Sequence, residues 1–574
     1  MSQLSGILRR VYPHLSKRRK WQLLGVIMLT IVASFAEILS LGAVIPFIAV
    51  LENPDIAQEQ IVNYAPSLVA FFEGSNLPVV ITSIFCIAVL FAMIVRLGLV
   101  VFSARFTFGL GSDLSCKMMD LNLDQDYQVH LNRNSSDVIS GMTTKTNSII
   151  YSALVPTILL FNSFITVLFI STALILMDPL VGLVGVSFFV SIYLIISSIT
   201  GLRLRRQSKI IAEYQTNQIR YIQEGIGGIR DVIISGLKSN ILKKYSMIDK
   251  RLRRAHGNNQ IMSLFPRYLL EGLGVTLIAA AAYVLTINSN SAVGVLPMLG
   301  AYALGAQRIL PAMQNIYVAW ANVSGDVDAV FDALGFLEQP VKDRVYGVQS
   351  VDFSHSISIR NVDFCYTGST KLSLNNISLE INKGDRVGIF GTTGSGKSTF
   401  IDILMCLNSP TSGCIFIDST QICPDNLRGW QSHIAHVPQK IFLVDGSVAE
   451  NVAFGIPADK IDRNKVRVCL KKARLADFIP QIDNDEDDVI GERGARLSGG
   501  QVQRIGIARA LYLEKDVIVF DEATSALDSR TEAEIMDTIY NLSQDLTLII
   551  IAHRLSTLDL CNKKFEFTAG SLIK

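Results

Sequence analysis

Six stretches of this chain, near 22–50, 78–104, 151–177, 179–202, 264–287 and 292–322, are apolar over lengths that fit a bilayer-crossing helix, which needs about 20 such residues. A soluble core can hold one helix of that kind; six in succession select a membrane domain. The third and fourth share a tight turn at Met177-Asp178-Pro179, where proline ends one helix and opens the next. Orientation follows from charge. The polar gap from Glu52 to Asn76 holds Glu52, Asp55, Glu59 and Glu73 and no Lys or Arg. The stretch after the fourth span is strongly basic, with Arg203, Arg205, Arg206, Lys209, Arg251, Arg253 and Arg254 among others. Basic loops stay in the cytoplasm, so both termini are expected inside. The basic start (Arg9, Arg10, Lys17, Arg18, Arg19, Lys20) precedes an apolar run too long for a cleavable signal and reads as an anchor.

The polar segments 103–147 and 203–259 keep apolar residues at helical spacing, so they are expected to extend the spans into the cytoplasm. Each is interrupted by a short connector, near 131–136 and 225–236, placed to touch a soluble domain. Such a domain follows. Beyond about residue 350 the apolar runs shorten and alternate with turns, giving the organisation 1–323 transmembrane, 324–354 linker and 355–574 soluble α/β. The whole chain is 49% hydrophobic and 18% charged, well under the quarter or so usual for soluble proteins. The net charge of +2 points to no nucleic-acid partner. The eight cysteines show no metal-ligand spacing and read as reduced cytoplasmic thiols.

Residues 391–398 read Gly391-Thr392-Thr393-Gly394-Ser395-Gly396-Lys397-Ser398, which matches G-x-x-x-x-G-K-[ST]. The preceding Arg386–Phe390 suits a buried strand, and Thr399, counted with the nucleotide-binding set, opens a helical stretch to Leu407. Glycines let backbone N–H groups turn inward around phosphate oxygens, and a helix N-terminus adds partial positive charge. Lys397 is expected on the β- and γ-phosphates and Ser398 on Mg²⁺. Downstream, the strand-like Val517–Phe520 delivers Asp521, placed to hold Mg²⁺, and Glu522, placed to orient or deprotonate the attacking water.

Leu497-Ser498-Gly499-Gly500-Gln501 narrows the class, because here the chain resembles the ATP-binding cassette (ABC) family, whose signature is this run. The resemblance implies an all-α six-helix transmembrane domain of exporter type followed by an α/β P-loop nucleotide-binding domain, with ATP and Mg²⁺ as cofactors. It implies that Tyr366 stacks on adenine, that Gln439 senses the γ-phosphate and joins Ser398 and Asp521 at Mg²⁺, and that His553 is the switch histidine. It also implies that Asp528 lies on the loop crossing to a partner domain, and that Gly491-Glu492-Arg493-Gly494 is an exporter motif. Ser498, Gly499, Gly500 and Gln501 would then close on ATP held by a second cassette. One chain has one cassette, so a homodimer is implied. With both Glu522 and His553 present, a hydrolysing site is expected.

Among ionisable residues in the spans, Arg96, Arg267 and Arg308 are candidates to converge on a polyanion, and Glu37 and Glu271 are candidates to neutralise two of them internally. The stretches 35–48, 266–272 and 308–311, with the polar segment 54–72, resemble bacterial lipid-linked oligosaccharide flippases of the PglK type. That resemblance implies an inner-membrane flippase for a polyprenyl-pyrophosphate-linked oligosaccharide, with the three arginines lining its cavity. Two other readings are weighed beside it: export of another lipid, a peptide or a drug, and an ATP-gated channel or regulatory subunit. A peptidase-linked exporter is discounted, since no protease domain fits before residue 22.

Overall fold

The computed structural model describes residues 2–52, 77–177, 179–288, 295–339, 349–475, 490–491, 494, 497–522, 529–540, 546–552 and 555–573. The chain divides into two compact units, Met1–Asp124 with Arg133–Pro340, and Gln125–Asn132 with Val341–Lys574.

The first unit is helical. Its long elements are Lys17–Gly42, Leu77–Leu123, Val155–Met177, Pro179–Gly227, Lys238–Asn288 and Val295–Gly325. Among the described residues, Lys17–Leu51, Pro78–Leu123, Ser135–Leu176 and Gly182–Gly227 are long and apolar enough to cross a bilayer. The expected fifth and sixth spans fall on Lys238–Asn288 and Val295–Gly325, each of which borders residues outside the description. The first expected span falls within Lys17–Leu51, where Ala43, still in right-handed helical backbone, separates helix Lys17–Gly42 from a second helix Val44–Glu52. Pro46 sits in the first turn of that second helix, where its missing N–H leaves no bond unmade. Helices Val155–Met177 and Pro179–Gly227 meet at the expected proline turn, of which Asp178 itself is outside the described residues. The polar segment 54–72 is also outside them.

On Leu77–Leu123 the residues Ile87, Leu90, Ile94, Leu97 and Val101 are all exposed. Their alternating spacing of three and four makes one apolar stripe along the helix, facing outward. Water would not tolerate such stripes repeated over several helices; hydrocarbon does. The chain accordingly has the helices of a multi-pass membrane protein. Away from that stripe, Ile7, Val11, Phe106, Leu110, Leu114, Met118, Val330 and Leu334 form one buried cluster. Val330 and Leu334 lie on Val327–Leu337, a helix inside the stretch read from sequence as linker. Its buried Val327, Val330, Ala333, Leu334 and Leu337 explain why it folds: the spacing of three and four buries one face in the helical unit.

The second unit carries two sheets. Strands β1 (Ser356–Phe364), β2 (Leu374–Asn382), β4 (Ser412–Ile417) and β5 (Thr420–Gln421) form an antiparallel sheet in the order β2-β1-β4-β5. Strands β3 (Arg386–Gly391), β6 (Ile434–Val437), β7 (Val517–Asp521), β8 (Thr547–Ile551), β9 (Lys563–Thr568) and β10 (Ser571–Ile573) form a second, in the order β10-β9-β3-β8-β7-β6. Strands β6, β7, β8, β3 and β9 run parallel, and β10 returns antiparallel. Strands buried on both faces read as unbroken apolar runs, as Val517–Phe520 and Leu548–Ile551 do. The parallel register aligns the C-terminal ends: Ile389 pairs with Ile551, and Ile551 with Asp521. Loops leaving β3, β6, β7 and β8 therefore open at one edge, where α/β sheets bind ligands.

Candidate functional site

At that edge β3 runs into the glycine loop, and helix Lys397–Leu404 begins directly after it. Gly391 has φ +147, and a Cβ there would stand 2.2 Å from the Phe567 carbonyl oxygen. Gly396 has φ +103, and a Cβ there would meet the Ser373 carbonyl oxygen at 2.9 Å. Both positions require glycine, so the motif's outer glycines are set by this backbone path as well as by the ligand. Gly396 offers no side-chain cap to the helix it precedes. The first N–H groups of that helix thus point into the loop with no intrahelical acceptor, and this cradle suits phosphate oxygens. Lys397 is buried, and its ammonium donates to the Gly391 and Thr392 carbonyls at 2.9 Å each. Tyr366 stands edge-on to Phe364 at 4.9 Å, and its hydroxyl lies 3.1 Å from the Thr399 hydroxyl.

Asp521 ends β7, and burial followed by the neighbouring Glu522 holds its carboxyl above the usual range, against the pull of Lys397. An acid destabilised as an anion in this way is primed for a cation. Glu522 has φ +49, a left-handed conformation unusual for a glutamate. It is pinned there: its N–H donates to the Ile551 carbonyl at 3.1 Å, and Gln439 Nε2 donates to its Oε2 at 2.6 Å. Gln439 follows the end of β6, so β6 delivers Gln439 and β7 delivers Asp521 and Glu522 to the edge where the glycine loop leaves β3. Asp528 and His553 lie outside the described residues, as do Glu492 and Arg493.

The signature run sits at the start of helix Gly499–Tyr512. Ser498 Oγ accepts from the Gln501 N–H at 3.3 Å while Gln501 Oε1 accepts from the Ser498 N–H at 2.7 Å. This capping box commits the Gln501 side-chain oxygen to the helix end, a structural task the sequence motif did not reveal. Ser498 and Gly499 are exposed, and the Ser498 hydroxyl keeps its own hydrogen to donate.

Two groups near the site were not singled out from sequence. Asp402, on the helix that follows the glycine loop, has its pKa pushed up to about 6 by burial and then by Asp521. Only its position one turn beyond Ser398 hints at this. Tyr127 belongs to Tyr127–Asn132, a helix within Gln125–Asn132 that groups with the second unit. Burial, then Asp402, Tyr366 and Asp521, raises its phenol. Beside it the Thr367 hydroxyl donates to Gln128 Oε1 at 2.5 Å. The connector expected at 131–136 therefore engages the α/β unit slightly earlier in the chain. The connector expected at 225–236 forms helix Ile229–Ile234, closed by Gly236 at φ +63.

In the helical unit, Arg96 Nη1 donates to Glu37 Oε1 at 3.0 Å, and Arg308 Nη1 approaches the Glu37 carbonyl oxygen at 3.5 Å. Glu37 is buried and its Oε2 has no hydrogen-bond partner among the described residues. Arg267 stands apart, paired with Glu271 on its own helix at 3.2 Å. Two of the three expected arginines therefore meet, and both internal pairings weighed from sequence are present.

Residues 374–525 match the family model described as ABC transporter. A protein named ATP-dependent lipid A-core flippase from Paraburkholderia xenovorans (strain LB400) is 27% identical over 80% of this chain and 77% of its own length. One of the same name from Burkholderia orbicola (strain AU 1054) is 27% identical over 77% of this chain and 74% of its own. A solved structure described as a bacterial Atm1-family ABC exporter with ATP bound superposes with a TM-score of 0.76, at 21% identity, over 97% of this chain and 94% of that one. The glycine cradle, Lys397 and the strand-end acids suit the ATP and Mg²⁺ that such a domain uses. Residues 374–525 match the ABC transporter domain, the kind that couples ATP hydrolysis to translocation, and the chain as a whole shares the fold of an ABC exporter.

Proposed function

We propose that this protein is a homodimeric flippase that carries a polyprenyl-pyrophosphate-linked oligosaccharide across the inner membrane, with both termini and the ATP-binding domain in the cytoplasm. The observation that carries the substrate is the meeting of Arg96 and Arg308 at Glu37 within apolar helices. Arg96 faces the Glu37 carboxylate and Arg308 its backbone carbonyl, so two guanidinium groups share one carboxylate's worth of negative charge where charge is costly, and a diphosphate offers the bidentate acceptors guanidinium prefers. A second copy is supported by two uncovered surfaces. One is the exposed Ser498 and Gly499 at a helix N-terminus. The other is the connector tip, where Ile226, Ile229, Ile233 and Ile234 are all exposed.

In this reading Lys397 and the loop N–H groups bind the phosphates, and Tyr366 takes the adenine. Ser398, Gln439 and Asp521 hold Mg²⁺, which supplies charge neutralisation at the phosphates. Glu522, oriented by Gln439, positions the water and accepts its proton, while His553 and Asp528 complete the site. Signature residues of one copy close on nucleotide held by the other; that closure draws the connectors together and reorients the cavity. Lipid A-core is the cargo named for the relatives, and lipid A-core export is the second reading on that ground.

The test is ATP-driven translocation in proteoliposomes containing either a labelled polyprenyl-pyrophosphate oligosaccharide or a lipid A-core glycolipid, with Glu522→Gln and Arg308→Ala as comparators. Movement of the first lipid, lost in both variants while Arg308→Ala still hydrolyses ATP, supports the proposal. Movement of the second lipid alone replaces it. Undiminished function in an ATPase-dead Glu522→Gln would point to a gated or regulatory role instead.

A further inference from the structure

Where helices Pro179–Gly227 and Lys238–Asn288 leave the expected membrane zone, they enclose a cleft of about 800 Å³. One wall carries Arg203 and Arg206, the other Arg251 and Arg254. Each pair is spaced by three, so both guanidinium groups of a wall share a helix face. Glu213 is the single acid among the lining residues. Other arginines nearby have partners on their own helix, Arg220 with Glu224 and Arg253 with Asp249. The four cleft arginines have no carboxylate within 4 Å among the described residues, although Arg251 Nη1 donates to the Tyr214 hydroxyl at 2.5 Å. The floor is apolar, with Ile211, Leu252 and Ala255 packed beneath it. Ile261 and Met262 line the end beside the expected fifth span.

A cytoplasmic loop needs basic residues only in number to satisfy orientation. It does not need them free of carboxylate partners, on two facing helix walls, beside an apolar lip at the membrane boundary. We propose that this cleft binds the phosphate groups of an anionic amphiphile at the cytoplasmic membrane surface. The guanidinium groups take the phosphates, and Ile261 and Met262 take the start of the lipid chain. Identifying that amphiphile with the transported lipid, so that the cleft is a loading site distinct from the Arg96–Arg308 meeting point, rests on the flippase reading above.

The experiment uses the full chain in phosphatidylcholine nanodiscs, doped with a polyprenyl pyrophosphate or with phosphatidylglycerol, and binding is read by native mass spectrometry. Inorganic pyrophosphate is the lipid-free competitor. Arg206→Gln/Arg254→Gln is expected to weaken polyprenyl pyrophosphate retention by about tenfold or more, and Arg206→Lys/Arg254→Lys by only a few-fold. Glu213→Gln is expected to strengthen it. Unchanged retention in the glutamine pair overturns the site, as does equal loss in the lysine pair, which would mark a packing defect. Competition by inorganic pyrophosphate as strong as by the lipid overturns the amphiphile half and leaves a site for free phosphate. Phosphatidylglycerol retained as tightly as the pyrophosphate lipid supports the cleft as a general anionic-lipid site and breaks its link to the cargo. If the glutamine pair loses binding while the wild type translocates nothing, the cleft stands and the flippase reading falls. If translocation proceeds and the pair binds normally, the reverse holds.

Discussion

Both units contain unbroken apolar runs, yet they turn them in opposite directions. Val517–Phe520 is buried on every side between β6 and β8. On Leu77–Leu123 the stripe from Ile87 to Val101 faces outward. The same residue chemistry serves two solvents, and what separates the cases is length: a strand of five residues cannot cross hydrocarbon, and a helix of 47 can. Polar detail is inverted too. In the α/β unit charge gathers where backbone strain is stored, at Lys397, Asp521 and Glu522. In the helical unit Glu37 and Arg96 meet across 59 positions of sequence, in surroundings where an unmatched charge is expensive.

The sharpest way to break this comparison is to remove charge where chemistry is expected. Glu522→Gln should reduce ATP hydrolysis on the order of 10²–10⁴-fold, read by phosphate release, without changing the thermal transitions of either unit. Glycines come next. Gly391→Ala should destabilise the α/β unit by about 3 kcal/mol or more, because the new Cβ meets the Phe567 carbonyl at a φ that alanine resists. Gly257→Ala, in a helix with nothing within 4 Å of the new Cβ, should stabilise the helical unit by about 0.5–1 kcal/mol. Opposite signs in chemical unfolding are the expected result, and equal signs would undo the contrast.

Ion pairs should separate by depth. Only the Glu37 side of its pair is buried, Arg96 being 64% exposed, so Glu37→Leu should cost the helical unit about 1–2 kcal/mol, whereas Glu271→Leu, whose pair with Arg267 is half exposed on both sides, should cost under about 1 kcal/mol. Equal costs would mean that Arg96 is well solvated. The smallest effect is that of Asp402, whose folded pKa of about 6 lies above its ordinary 3.8. A raised carboxyl binds its proton more tightly in the folded protein, so its contribution is full at acid pH and is lost as pH rises through about 6. In nucleotide-free protein Asp402→Asn should therefore raise the melting point of the α/β unit by about 2 °C at pH 7.5 and leave it unchanged near pH 4, after allowance for solvent screening.

Much of this was legible in the sequence, for identifiable reasons. Local period and length carry helices and strands, so Pro179 at a helix start, the stretch 391–398 at a strand-to-helix turn and Val517–Asp521 as a strand all read directly. The helix Val327–Leu337 was hidden because its apolar face is short and lies in a polar, proline-bounded stretch that resembles a linker. The capping role of Gln501 was hidden because a motif records which residues occur and not which atoms are already engaged.

Sequence by itself determined which segments face lipid and which carry the phosphate cradle, because hydropathy, glycine and proline act over a few neighbouring residues. Tertiary structure alone decided that β6, β7 and β8 would line up with β3 so that Gln439, Glu522 and the loop at Gly391 share one edge. It alone decided that Tyr127 would join the α/β unit, that Arg308 would find Glu37 while Arg267 stayed with Glu271, and that four arginines from two helices would face one cleft. Those meetings depend on closing long loops and packing distant surfaces, and no local pattern of residues encodes the partner at the far end.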